Sequence, residues 1–178
     1  EDGLLEEGFT LAREMLKPAL YPEHYPTLNK LKAHQQSANA LEAPFNKVPI
    51  NVCFATPEDG IDHVGVEQQA CNNCGDCVSG CNFNAKNTTR MNYLPDAWNH
   101  GAEIYCQANV RYLEKTDSGW RVFYQDMGTG AECFSAAPLF VEADLVILAA
   151  GTLGSNEILL RSQSRGLAIS SQLGQHFT

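Results

Sequence analysis

The sequence predicts a mixed α/β (α+β) chain, from three observations. Apolar residues recur at helical spacing in the first forty positions, three β-rich segments follow one another in the second half, and a continuous apolar run then opens into a glycine-marked turn and a helix.

In the first segment Leu4, Leu5, Phe9, Ala12, Met15 and Leu16 fall on one helical side. Asp2 is placed to cap the helix, Glu6 and Glu7 suit its N-terminal part, and Pro18 stops it. Pro22 and Pro26 interrupt the chain. Thr27 is the expected cap of a second helix carrying Leu28, Leu31, Ala38 and Leu41, and the apolar side of both helices is expected to be core. Between Ala43 and Ala70, Pro44, Pro49 and Pro57 bracket the alternating VPINVCF, and Asp59-Gly60 marks a turn. A short helix through Leu94, Ala97 and Trp98 is expected to cover an apolar surface. It tolerates Pro95 near its first turn and stops at Gly101.

The segments AEIYCQANVRYLEK, WRVFYQD and CFSAAPLFVEA are predicted as an antiparallel meander, with Asp117, Ser118 and Gly119 in the first turn. Leu145 to Ala150 reads as a strand buried on both faces, and Gly151 to Gly154 lead into a helix bearing Ile158, Leu159 and Leu160. A buried strand that ends in small residues at a helix N-terminus offers N–H groups and a positive dipole end to a phosphate.

The bulk composition bounds the function. The chain has 178 residues, 44% apolar, enough for one ordinary domain, and no apolar run is long enough to span a bilayer. A net charge of −9 repels phosphate backbones and anionic lipid, which argues against a nucleic-acid partner and against a membrane partner. The acidic start EDGLLEEGF is not a signal peptide, and an odd count of seven cysteines, four of them clustered in CxxC-type spacing, suits a reducing compartment, so a cytoplasmic location is expected. Asn87, Thr88 and Thr89 match the glycosylation acceptor pattern by accident.

The run CNNCGDCVSGC places Cys71, Cys74, Cys77 and Cys81 at gaps of two, two and three residues. This spacing can direct several thiolates at one centre: a 4Fe-4S cluster, as in ferredoxin loops, or a structural zinc. Asn82 stands where the ferredoxin run has proline, and there is no second cysteine quartet. Free or disulfide-paired thiols in a glycine-rich turn are the other reading. Two further readings follow from the spacing: an iron-sulfur electron-transfer module, or a zinc-stabilised interaction domain without catalysis.

Two blocks carry a resemblance. The cysteine run continues as GCNFNAKNTTRMNYLPDAWNHGAEIY, and farther on the chain reads ADLVILAAGTLGSNEILLRSQSRGLAISSQLG. In this order and separation they resemble the glucose-methanol-choline (GMC) family of FAD-dependent oxidoreductases, most closely its cholesterol-oxidase-like branch. The resemblance implies a GR2-type FAD-binding fold. Residues 1–85 would be a helical and loop part of the substrate domain with the cysteine-rich turn, and residues 86–178 part of the FAD-binding domain. It also implies oxidation of an alcohol, with a sterol as one candidate, by hydride transfer to flavin. Val110 would offer its backbone to the adenine, and Ala150, Gly151 and Gly154 would lie near the dinucleotide.

The chain contains no GxGxxG, and it ends before the region where the family places its catalytic histidine. It is therefore expected to be an internal piece, inactive alone, with no catalytic residue of its own and able to form a homodimer through its incompletely covered strand. His24, His34, His63, His100 and His176 show no ligand or triad spacing, and GTLGSNE is not a nucleophile elbow, so Ser155 receives no hydrolase role. Lys86 and Arg90 are solvated cations in the default reading, within reach of a phosphate in the other. Asn92 and Tyr93 fall in the family's NYL block.

Overall fold

A computed structural model describes residues 2–130 and 136–175, and the side chain of Asp2 lies outside that description. The chain divides into two compact units, Glu1–Glu103 and Ile104–Thr178.

In the first unit, α1 spans Asp2–Leu16 and ends as Lys17 turns into the left-handed region at φ 48°. The Lys17 N–H still reaches the Arg13 carbonyl at 2.9 Å, which closes the last turn before Pro18. Helix α2 spans Asn29–Ala40. Its N-cap is Leu28, with no side-chain cap, so the expected Thr27 cap does not form. The expected core stripe is also corrected: Leu4, Leu5, Phe9, Leu28 and Leu41 are exposed, and Ala12, Met15, Leu16, Leu31 and Ala38 are only half-buried. A helical stripe is buried only where another layer lies on it, and no described element fully covers these residues.

VPINVCF makes only isolated antiparallel bridges, Ile50 with Ala19 and Val52 with Lys86. Pro57 and Gly60 close the expected turn, with the Gly60 N–H on the Pro57 carbonyl at 2.9 Å. A short 3-10 turn, Thr89–Met91, leads into α3, Tyr93–Asn99. The helix takes Pro95 in its first turn, where a missing N–H costs nothing, and Gly101 follows its end at φ +87°. Leu94 and Trp98 are nevertheless exposed, so this helix does not cover an apolar surface among the described residues.

The apolar core here is small: Val64, Ala85 and Met91. Side-chain amides do much of the holding instead. Buried Gln68 donates from Nε2 to the Asn84 carbonyl at 3.0 Å and to Asn87 Oδ1 at 2.7 Å. Asn87 in turn donates to the Leu16 carbonyl at 3.0 Å, tying the end of α1 to the loops. Asn99 donates to the Val64 carbonyl at 2.9 Å. Asn87 is thus half-buried, with its amide engaged on both sides.

In the second unit, β1 (Ala108–Lys115), β2 (Trp120–Asp126) and β3 (Leu139–Ala143) form an antiparallel sheet in sequence order, the expected meander. The N-terminal part of the third segment, including Cys133, lies outside the described residues. A register irregularity between Val110 and Tyr112 bulges β1 at Arg111. Helix α4, Gly151–Ser164, packs on β1 through buried Ile158 and Ser162, against Tyr112 and Leu113. The fold is thus the mixed helix-and-sheet class that the sequence predicts.

One element differs. Leu145 to Ala150 joins no ladder, and Leu145 and Ile147 are 77% and 84% exposed, so the expected buried strand is absent. An apolar run becomes a buried strand only between hydrogen-bonding neighbours and covering layers, and no described segment supplies them.

Candidate functional site

The end of the apolar run and the start of α4 form one wall of an open cleft of about 380 Å³. Val110, on β1, lines the opposite side next to Asn109, and Ile147, Ala150, Gly154 and Arg161 complete the part that matters chemically. Three of the four residues expected at a dinucleotide thus line a single cleft. Gly151, the fourth, opens α4 beside it, at φ +70° and with no atom within 4 Å of where a Cβ would stand.

The local sequence explains this geometry. Ala150 is the N-cap of α4 but has no side chain to bond the first-turn N–H groups, and no acidic residue sits in that turn. The first-turn N–H groups therefore have no side-chain partner, at the end of the helix where Ala150 lines the cleft. Gly154 approaches so closely that an added Cβ would stand 3.2 Å from the Ala150 Cβ. Farther along, Arg161 pairs with Glu157 and reaches the Arg111 carbonyl at 3.5 Å. Burial and the neighbouring Arg111 draw its pKa below the usual arginine value, though arginine remains a cation at neutral pH. A bare helix terminus and small residues suit a diphosphate, so these residues fit an FAD dinucleotide, while Glu157 lines the same cleft and neutralises Arg161.

The cysteine loop lies in the other unit. Cys71, Cys74, Cys77 and Cys81 all line one small cavity of about 70 Å³ together with Lys86, so the structure does bring the four together. Among the described residues, however, no three His, Cys, Asp or Glu side chains are placed to hold a metal ion, and all six described cysteines are free. Lys86 is not simply solvated: its Nζ donates to the Cys77 carbonyl at 2.8 Å. Burial by itself raises the Cys81 thiol. The backbone N–H groups of Lys86, Phe83 and Ala85, with the Lys86 ammonium, outweigh it and hold the thiol below its ordinary value.

Asn92 is 1% exposed, and its Oδ1 accepts the Tyr93 N–H at 2.8 Å, so it caps α3. The Asn92 Nδ2 has no partner. His24 packs edge-on against Tyr25, and His100 pairs with Asp96 at the surface. His176 lies outside the described residues. Sequence reasoning missed the structural work of Gln68 and Asn87; polar residues this far apart in the chain give no periodic signal.

The family model for GMC oxidoreductase matches residues 29–178. The chain belongs to the GMC oxidoreductase family. This is a flavoprotein family, and the match covers the cysteine loop, the meander and the α4 cleft alike. Among curated proteins, cholesterol oxidases of two Mycobacterium tuberculosis strains, CDC 1551 / Oshkosh and H37Rv, are each 33% identical over 121 residues, 66% of this chain and 20% of theirs. A cholesterol oxidase of Acinetobacter baumannii is 31% identical over 123 residues, 66% of this chain and 22% of its own. The chain therefore spans about a fifth of the length of these relatives. No solved structure matches it. Among the described residues, no helix is long and apolar enough to cross a membrane.

Proposed function

We propose that this chain is part of an FAD-dependent alcohol oxidoreductase, and that its contribution is to hold the FAD dinucleotide at the cleft between Val110 and the N-terminus of α4. The observation that carries this reading is the gathering of Val110, Ala150 and Gly154 around one opening, beside a helix terminus with no side-chain cap. The α4 N–H groups would hold a phosphate, the glycine and alanine would let it approach, and the Val110 backbone would meet the adenine. Arg161 is neutralised by Glu157 on the same wall, so the helix terminus carries the attraction for the phosphate. Bound flavin supplies the hydride acceptor for the alcohol carbon.

A sterol is the substrate class this reading favours, supported by the cholesterol oxidases among the relatives. This reading assigns none of the 178 residues to moving the alcohol proton. By itself the chain self-associates through the exposed Leu145 and Ile147 run, which sedimentation at rising concentration would detect.

The test is anaerobic addition of cholesterol to the protein expressed at the relatives' length. Bleaching of the flavin band on addition is the expected result. Bleaching by a simple primary alcohol but not by cholesterol would remove the sterol assignment. A protein without flavin would remove the whole reading.

A further inference from the structure

The two edges of the three-stranded sheet are finished differently. β1, at one edge, is closed by α4: the Leu113 N–H donates to the Ser162 hydroxyl, and Arg161 donates to the Arg111 carbonyl. β3, at the other edge, has β2 on one side, and no described segment pairs with its outer side. Its Leu139, Phe140 and Val141 are 55%, 49% and 51% exposed, so both faces of the strand are open as well as its edge. Natural sheets blunt such an edge with a free charge or a proline within the strand. Here the one charged residue of β3, Glu142, is tied to Arg121 at 2.9 Å, and Pro138 stands just before the strand.

We propose that β3 is the docking edge for a second copy of this chain, the two strands pairing antiparallel about a two-fold axis at Val141 and joining the two sheets into one. In this register Val141 faces the partner's Val141, Leu139 faces the partner's Ala143, and Phe140 faces the partner's Glu142. Phe140 and Glu142 share one face of the strand, and the Arg121 guanidinium lies over Phe140, 5.0 Å from the ring centre. Each Glu142 therefore comes beside the partner's Phe140 and the partner's Arg121, so the two arginines and two glutamates alternate around the axis. This charge match selects the occupant, because the edge complements itself. Centring the pair on Phe140 instead would bring Pro138, which has no N–H, into the ladder. Since α4 closes β1, each copy has one edge to offer, and the pairing stops at two chains.

The test is sedimentation of the 178-residue chain carrying Leu145→Ser and Ile147→Ser, which removes association through that exposed run and leaves β3 as it is. A concentration-dependent dimer is expected, and adding Val141→Lys weakens it at least about tenfold. Arg121→Glu leaves only carboxylates at the contact and Glu142→Arg only guanidinium groups, so each of these variants is monomeric alone. Mixed, they form a one-to-one heterodimer, which an ion pair acting only within one chain does not produce. Both side chains are substantially exposed, so neither substitution disturbs the interior. A chain that stays monomeric at the highest concentration reached would overturn the proposal and leave β3 to a different partner. Undiminished dimerisation of the Val141→Lys chain would overturn it too, as would a mixture of the two charge variants that remains monomeric.

Discussion

The backbone N–H of Leu113 donates to the Ser162 hydroxyl at 2.8 Å, and that hydroxyl donates to the Ile158 carbonyl at 2.7 Å. Leu113 sits on β1, at the edge of the sheet, and Ser162 is completely buried on α4. One hydroxyl therefore satisfies a strand-edge donor that water cannot reach, and fixes the helix over the strand that lines the cleft. Ser162→Ala leaves the Leu113 N–H buried without an acceptor, at a cost of about 1–3 kcal/mol. Chemical denaturation should read that loss, with exposed Ser164→Ala within about 0.5 kcal/mol of the parent.

The first unit depends on amides rather than on apolar area. Asn87→Ala removes an acceptor from Gln68 and a donor from the Leu16 carbonyl in one step. A loss of about 1–3 kcal/mol is expected, together with faster amide exchange at the C-terminal end of α1. Unchanged exchange there would show that Asn87 does not tie that helix end.

Stability should fall at alkaline pH. Burial is the main cause raising both Cys53 and Tyr25, from ordinary values of 9.0 and 10.0. Nearby Cys71 adds to each, and the Tyr25 hydroxyl donates to the Cys71 carbonyl at 2.7 Å. Both groups hold their protons more tightly folded than unfolded, so their contribution is complete below pH 9 and is lost as pH rises through the folded values. Denaturation midpoints measured from pH 8 to 11 should decline, and Tyr25→Phe should remove part of the slope while lowering stability at pH 8.

Local rules made much of this legible in the sequence. Pro18 and Gly101 stop α1 and α3, the residues Asp117 to Gly119 turn β1 into β2, and Ala150-Gly151 opens α4, because proline, glycine and turn residues act on the nearest few peptides. What depended on a second layer was not legible. The stripe of Leu4, Leu5 and Phe9 has the period of a buried helix, and Leu145 to Ala150 has the composition of a buried strand, yet both are exposed. Periodicity reports which face would be buried; it does not supply the element that buries it. The cleft was legible only through the family resemblance, which pointed to Val110 as well as to Gly154, whereas the Gln68–Asn87 bond joins residues that no spacing rule connects.

Gly151 and Gly154 should respond differently to substitution. Gly151 sits at φ +70° with open space around its missing Cβ, so Gly151→Ala costs about 1 kcal/mol through backbone strain, and Gly151→Asn less. Gly154→Ala meets the Ala150 side chain at 3.2 Å, offset by the gain in helix propensity. Thermal denaturation should therefore rank Gly151→Ala below Gly154→Ala. The reverse order would mean that close packing at Gly154, not the Gly151 conformation, limits this turn.

The most direct test of the account is flavin retention in the protein expressed at its relatives' length, comparing the parent with Gly154→Leu and Cys77→Ser. A leucine at position 154 fills the cleft beside Ala150, whereas Cys77 lies in the other unit. The account predicts one flavin per chain in the parent and in Cys77→Ser, and flavin binding at least about tenfold weaker in Gly154→Leu. Full retention of flavin by Gly154→Leu, or a parent that binds none, would contradict it.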